Sequence, residues 1–339
     1  MNNSKSQYKD FSQKISDWYL SDGRDGLPWR KNISPYRIWI SEIMLQQTQV
    51  KTVIPFFKRF ISTYPNLKAI ASASEDEILA LWSGLGFYRR AKNIYKTKEI
   101  IRSDFKNRFP RRFIDLIKLP GIGRSTAGAI MSIAYKQSYP ILDANVKRVI
   151  SRYKKVDLNK KNSIKKLWLL SDDLTPEEGI FNYTQGIMDL GATICQMKSA
   201  DCINCPLNKT CKSAFKELKI NNKVRKKRSY KKIHFTLAHS NEWFLLFKKN
   251  RKSFWESLWV PYDHEFNDVN NSFPESTKRK IKNINHLLSH IELDITIEVI
   301  DYKNPFKIKT NMEHQWIRKD QIHNYGMPKP IKTIIENYG

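Results

Sequence analysis

An all-α domain followed by an α+β domain is the fold class this sequence predicts, and three features along its 339 residues carry the prediction. From residue 8 to 212 apolar positions recur at spacings of three and four, with no convincing alternating segment, which is the period of helices with one buried face. Between Glu217 and Lys232 eight of sixteen residues are Lys or Arg against one acid, and the helical period disappears, a linker composition. Beyond it, residues 234–238, 243–247, 258–261 and 293–300 are β-branched or aromatic runs of strand length bounded by polar turns. The boundaries that follow are 1–215 for the helical domain, 216–232 for the linker and 233–339 for the α+β domain, which a helix over roughly 330–337 completes.

Taken in order, the first helix is read from Phe11, Ile15, Trp18 and Tyr19. Ser34 before Pro35 is a helix start, with Ser as N-cap and Pro at the first helical position, so the helix running to Leu45 carries Glu42 inside it or near its end. Ile114 and Ile117 lead into Ala127, Ile130, Met131, Ile133 and Ala134, two helical patterns meeting at a turn. The chain is 40% hydrophobic and 12% aromatic, and no run approaches the roughly 18 apolar residues of a membrane span. Its first eleven residues are polar and carry no secretory signal, which implies a reducing, cytoplasmic setting where cysteines are not spent on disulfides. Sixty Lys and Arg against 33 acids leave a net charge of +27. A field of that sign points to nucleic acid, because nothing else here supports a membrane partner.

All four cysteines fall within seventeen residues, as Cys195-x6-Cys202-x2-Cys205-x5-Cys211. Four thiolates closing one compact loop suit a [4Fe–4S] cluster or, failing that, tetrahedral zinc; only one spacing is the short C-x2-C of a zinc knuckle, which favours iron–sulfur. In a chain with only 12 glycines, Leu119-Pro120-Gly121-Ile122-Gly123-Arg124-Ser125 places a Gly-x-Gly turn between two helices. Such a turn brings backbone N–H groups close to a ligand, and the following helix N-terminus adds a positive dipole end, together a phosphate clamp blind to sequence. About twenty residues later Leu142-Asp143-Ala144-Asn145 opens another helix. An Asp there serves as an N-cap, and the hairpin upstream with the cysteine loop downstream gives it a second reading as a catalytic carboxylate.

Leu119-Pro120-Gly121 followed by Asp143 resembles the helix-hairpin-helix DNA glycosylase superfamily, with the hairpin at about 114–134 and an iron–sulfur loop at 195–211. Leu27-Pro28-Trp29-Arg30, Trp39-Ile40-Ser41-Glu42-Ile43-Met44-Leu45-Gln46-Gln47-Thr48-Gln49-Val50 and Trp82-Ser83-Gly84-Leu85-Gly86-Phe87-Tyr88 narrow the resemblance to adenine DNA glycosylases of the MutY type. That family removes adenine mispaired with 8-oxoguanine or guanine in base excision repair. The resemblance implies a monofunctional N-glycosylase acting as a monomer on double-stranded DNA, with Cys195, Cys202, Cys205 and Cys211 holding a [4Fe–4S] cluster and Gly121, Gly123 and Ser125 on the DNA backbone. It also implies an adenine pocket from Trp29, Arg30, Leu45, Val50 and Gln185, support from Asn145, Gln47 filling the vacated stack, and Phe87 inserting beside the oxidised base where the family has Tyr. Residues after 230 resemble faintly the MutT-like (Nudix-fold) domain such enzymes append, without a Glu-rich Nudix box; Ser289 and His290 fall in its lesion-reading loop, with Leu288 where the family has Phe.

The chemistry needs two carboxylates. Adenine is a poor anionic leaving group, so a proton on N7 must accompany C1′–N9 cleavage, and a carboxyl in an apolar pocket can supply it. Glu42, flanked by Trp39, Ile43 and Leu45, fits that acid. General acid catalysis contributes ~10²–10⁴-fold, about 3–5 kcal/mol, where enzymes supply about 8 or more. The remainder falls to Asp143, which as a carboxylate stabilises an oxocarbenium-like sugar. Two alternatives stay open at this point. An endonuclease III-like glycosylase and lyase would need a Schiff-base lysine where this chain has Ser125, and a non-catalytic iron–sulfur DNA-binding protein would leave Glu42 and Asp143 idle.

Overall fold

The structure is a computed structural model that describes residues 2–216, 228–250, 254–266, 273–275, 279–288 and 290–338. The chain divides into two compact units, Met1–Ser72 with Lys96–Asn221, and Ala73–Tyr95 with Asn222–Gly339. The division differs from the predicted boundary at 215, because residues 73–95 group with the C-terminal residues.

In chain order the helices are α1 (Asn2–Asp22), α2 (Pro35–Leu45), α3 (Val50–Thr63), α4 (Leu67–Ile70), α5 (Glu75–Trp82), α6 (Arg89–Asp104), α7 (Phe113–Leu116), α8 (Arg124–Ala134), α9 (Ala144–Tyr153), α10 (Ser163–Leu174) and α11 (Ile180–Thr193). The first unit is helical, as the three-and-four spacing requires. Ser34 caps α2, its Oγ accepting from the Arg37 N–H at 3.2 Å with Pro35 behind it. At the centre lies α8, buried from Thr126 to Ile133, a helix apolar on nearly all sides and therefore surrounded on nearly all sides. Its Gly128 lets the chain before α9 lie directly on it: a Cβ there would stand 2.4 Å from the Pro140 carbonyl oxygen.

The second unit contains a mixed sheet of β1 (Ser229–Ser240), β2 (Trp243–Lys248), β3 (Trp259–Val260), β4 (Tyr262–Asp263), β5 (Arg279–Leu287), β6 (Ile291–Asp301) and β7 (His314–Arg318), followed by α12 (Lys329–Glu336). The main path runs β3-β2-β1-β6-β5, with β4 on β1 and β7 on β2. Strands β1 and β6 pair parallel from Ser229↔Ile291 to His239↔Asp301, and the other pairings are antiparallel. Phe235, Leu237, Phe244, Leu246, Leu293, Ile295 and Ile297 are fully buried along these strands.

Two expectations are corrected here. Residues 229–232, which the composition assigns to the end of the linker, are strand, because they pair with residues 291–294 and the Tyr230 hydroxyl donates to Asp294 at 2.6 Å. Strands β5 and β7 were not predicted: β5, Arg-Lys-Ile-Lys-Asn-Ile-Asn-His-Leu, lies at an edge with neither face fully covered, so no strong apolar alternation marks it. Among the described residues no helix is long and apolar enough to cross a membrane.

Candidate active site

Glu42 sits in the last turns of α2 between buried Ser41 and Ile43, on a helix whose Tyr36, Ile38, Trp39, Ile40 and Met44 are also buried. Glu42 itself is half-buried there. Burial pushes its carboxyl up to about 8, the nearby Asp143 charge adds to the rise, and the Arg30 guanidinium opposes it. At neutral pH Glu42 carries its proton.

Of the two readings the position of Asp143 allowed, the structure shows the N-cap directly. Asp143 is the N-cap of α9, its Oδ1 accepting from the Val146 N–H at 2.7 Å. It is also close enough to Glu42 for its charge to disfavour ionisation of that carboxyl. Burial raises its pKa, while N–H groups of Val146 and Asn145 and the charges of Arg148 and Lys147 favour the carboxylate. Of the two acids, Asp143 is the one whose carboxylate is supplied with N–H donors. Ser125 bears on this geometry: its Oγ accepts from the Leu142 N–H at 2.9 Å, tying α8 to the residue before Asp143. Asn145 is held by Arg148, whose Nη2 donates to its Oδ1 at 2.8 Å while Nε donates to the Cys195 carbonyl at 2.7 Å.

Arg30, in the short turn Pro28–Arg30, leads to a pair of residues that sequence reasoning missed. Its Nη1 and Nη2 donate to Asp189 at 2.7 and 2.8 Å, and Arg24 donates to the same carboxylate through its backbone N–H at 2.9 Å and its Nε at 3.0 Å. Asp189 is wholly buried on α11. Burial alone would raise its pKa, but the hydrogen bonds from Arg30 and Arg24 outweigh it and hold the carboxyl below its ordinary value. The one hint in the sequence was an acid embedded in the apolar run Ile187 to Leu190; nothing local named its partners, about 160 residues away. Trp29 is buried edge-on against Phe57, with ring centroids 5.5 Å apart. Leu45 ends α2, Val50 opens α3, and exposed Gln47 between them has φ of 57°. Gln185 is buried on α11.

The hairpin joins α7 to α8. Gly121, with φ of 81°, makes a turn that side chains rarely adopt, and it and Gly123 are exposed ahead of the α8 N-terminus. Gln46 Nε2 donates to the Gly121 carbonyl at 3.3 Å, Thr97 Oγ1 to that of Pro120 at 3.0 Å, and the Ile122 N–H to that of Leu119 at 3.1 Å. The four cysteines line one cavity with Arg152, which donates to the Cys195 sulfur at 3.3 Å and to the carbonyls of Gln196 and Met197 at 2.7 and 3.0 Å. Among the described residues no three His, Cys, Asp or Glu side chains converge as they would about a single ion. Four thiols around one shared cavity fit a polynuclear group better than a lone zinc.

In the second unit Phe87 is 45% exposed with φ of 50°, while Tyr88 beside it is turned inward, its hydroxyl donating to the Met327 carbonyl at 3.2 Å. Of the two neighbouring rings only Phe87 is presented outward. His290 is exposed in the turn between β5 and β6, where its carbonyl accepts from the Ser229 N–H at 3.0 Å. Ser289 lies outside the described residues.

This helical fold has known counterparts. A family model described as HhH-GPD superfamily base excision DNA repair protein matches residues 40–172. The chain also resembles the structure of a thermostable thymine-DNA glycosylase, with a TM-score of 0.57 and 30% identity over 62% of this chain and 97% of that one. The class is therefore that of helix-hairpin-helix base excision repair proteins. An adenine DNA glycosylase of Buchnera aphidicola subsp. Schizaphis graminum is 41% identical over 96% of this chain and 98% of its own length, and one from subsp. Acyrthosiphon pisum is 39% identical over 97% of each. The chain belongs to the adenine DNA glycosylase family.

Proposed function

We propose that this protein, a DNA N-glycosylase by family, hydrolyses the N-glycosidic bond of adenine mispaired with 8-oxoguanine or guanine in double-stranded DNA, and does so as a monomer in the cytoplasm. The feature that supports the reading is two neighbouring acids in unlike surroundings: Glu42, which burial pushes up to about 8, and Asp143, whose carboxylate is offered the N–H groups of Val146 and Asn145. Glu42 gives its proton to N7 as the C1′–N9 bond breaks, so adenine leaves neutral; Asp143 offsets the positive charge developing on the sugar, and water adds at C1′. Trp29, Arg30, Leu45, Val50 and Gln185 form the adenine pocket and Asn145 supports Asp143. Phe87 inserts as the nucleotide leaves the duplex, Gln47 fills the vacated stack, and the N–H groups at Gly121, Gly123 and Ser125 take the backbone. The mixed sheet serves as a MutT-like reader of the opposite base, through His290 and Ser289.

Incubating the full-length protein with duplexes carrying A·8-oxoguanine, A·G or A·T tests this. Alkali-labile sites are expected at the adenine of the first two and not of the third. Because Ser125 is no amine and its oxygen is already engaged by Leu142, borohydride should trap no covalent adduct. A trapped adduct, or cleavage at oxidised pyrimidines instead, would make the protein a lyase of the endonuclease III kind.

Cys195, Cys202, Cys205 and Cys211 would hold a [4Fe–4S] cluster. Such a cluster would supply a covalent clip across the loop. Protein made with adequate iron should be yellow-brown, absorbing near about 400 nm from thiolate-to-iron charge transfer. Cys202→Ala should lose colour and DNA affinity together; stoichiometric zinc without iron would refute the cluster.

A further inference from the structure

Phe87 stands in a loop folded unusually sharply. Gly84, Gly86 and Phe87 all have positive φ, at 97°, 74° and 50°. A non-glycine residue in the left-handed region persists only where its surroundings fix it. Trp82 Nε1 and Arg90 Nη2 both donate to the Gly86 carbonyl, at 2.9 and 3.2 Å, and two further groups act on either side of the loop. Ser83 Oγ donates to the Met327 carbonyl at 2.9 Å, and the Tyr88 hydroxyl donates to that same oxygen at 3.2 Å. One carbonyl has two lone pairs, and both are used. The neighbouring Gly326 is pressed so close to α5 that a Cβ there would lie 2.4 Å from the Leu79 Cβ. A backbone segment more than 230 residues downstream thus clasps the loop at its two ends and leaves the Phe87 ring outward, 45% exposed.

We infer that Ser83 and Tyr88 are positioning residues that, through the Met327 carbonyl, hold the Phe87 ring in its outward pose, so that opening of the base stack depends on the C-terminal half of the second unit. The inference rests on the reading of Phe87 as the inserting ring. It gives the C-terminal residues a mechanical part in opening the stack, separate from reading the opposite base by hydrogen bonds. The clasp itself carries no charge, so general attraction to the duplex is unaffected by its loss.

The test uses full-length protein and a duplex with 2-aminopurine next to 8-oxoguanine, paired with an uncleavable 2′-fluoro-adenosine. Unstacking raises the 2-aminopurine fluorescence. For Phe87→Ala most of that rise should vanish and mispair affinity should fall by about tenfold, the loss of one stacked ring. The double variant Ser83→Ala/Tyr88→Phe should lose at least about half of the rise while keeping undamaged-duplex affinity within about twofold, and adding it to Phe87→Ala should cost nothing more. Tyr88→Phe alone, which keeps the buried ring, gives a smaller loss and serves if the double variant melts early. If the clasp variants keep the full rise while Phe87→Ala loses it, the clasp is wrong and the inserting ring stands. If Phe87→Ala also keeps the rise, both fall.

Discussion

Glu42→Gln is expected to slow single-turnover adenine excision by ~10²–10⁴-fold while leaving duplex affinity within about threefold, because the amide keeps the shape and gives no proton. The effect should be large because the wild-type carboxyl, at about 8, already holds its proton at neutral pH. The same substitution should stabilise the fold. A carboxyl whose native pKa lies above its ordinary 4.5 favours the native state only while protonated; that advantage is complete below about 4.5 and is lost as pH rises through about 8. Gln carries no such liability, so its gain in Tm over wild type should grow from pH 5 to pH 9. Excision by Glu42→Gln within threefold of wild type would remove Glu42 from the chemistry.

Replacing Asp189 should have the largest effect on stability. Asp189→Leu strands the Arg30 guanidinium, whose side chain is 5% exposed, without its counter-charge, and breaking a buried pair in this way costs about 3–5 kcal/mol. Asp189→Asn keeps the shape and some acceptor capacity and should cost less. The Asn variant has a second consequence: Arg30, no longer neutralised, pulls the Glu42 carboxyl down harder, and the alkaline limit of activity should move to lower pH. Thermal melts measure the first effect and a pH–rate profile the second; an Asn variant with an unshifted profile would mean that Asp189 only holds structure.

The particular residues show what a single sequence can and cannot carry. Ser34 with Pro35 announced the start of α2, and the Gly-x-Gly turn announced the hairpin, because capping and turn chemistry are local. Glu42 among Trp39, Ile43 and Leu45, Asp143 about twenty residues past the hairpin, and four cysteines within seventeen residues could be named as candidates for a similar reason. Asp189 with Arg24 and Arg30 could not: the pairing joins the first turns of the chain to α11 and leaves no local signature. The clasp on Met327 is hidden further still, since its acceptor is a backbone carbonyl that any residue would present. Strand β5 was missed because edge strands tolerate Lys and Asn, which blur the alternation that marks β6.

Everything in the proposed chemistry turns on a protonated Glu42 driving the loss of adenine from DNA. Its sharpest test is the single-turnover rate of free adenine release from an A·8-oxoguanine duplex as a function of pH. The rate should be level through neutrality and fall above about 8, by roughly tenfold per pH unit once Glu42 is ionised, and in Glu42→Gln this break should be absent. A wild-type rate that rises through pH 8, or a break that survives in Glu42→Gln, would show that the proton comes from elsewhere.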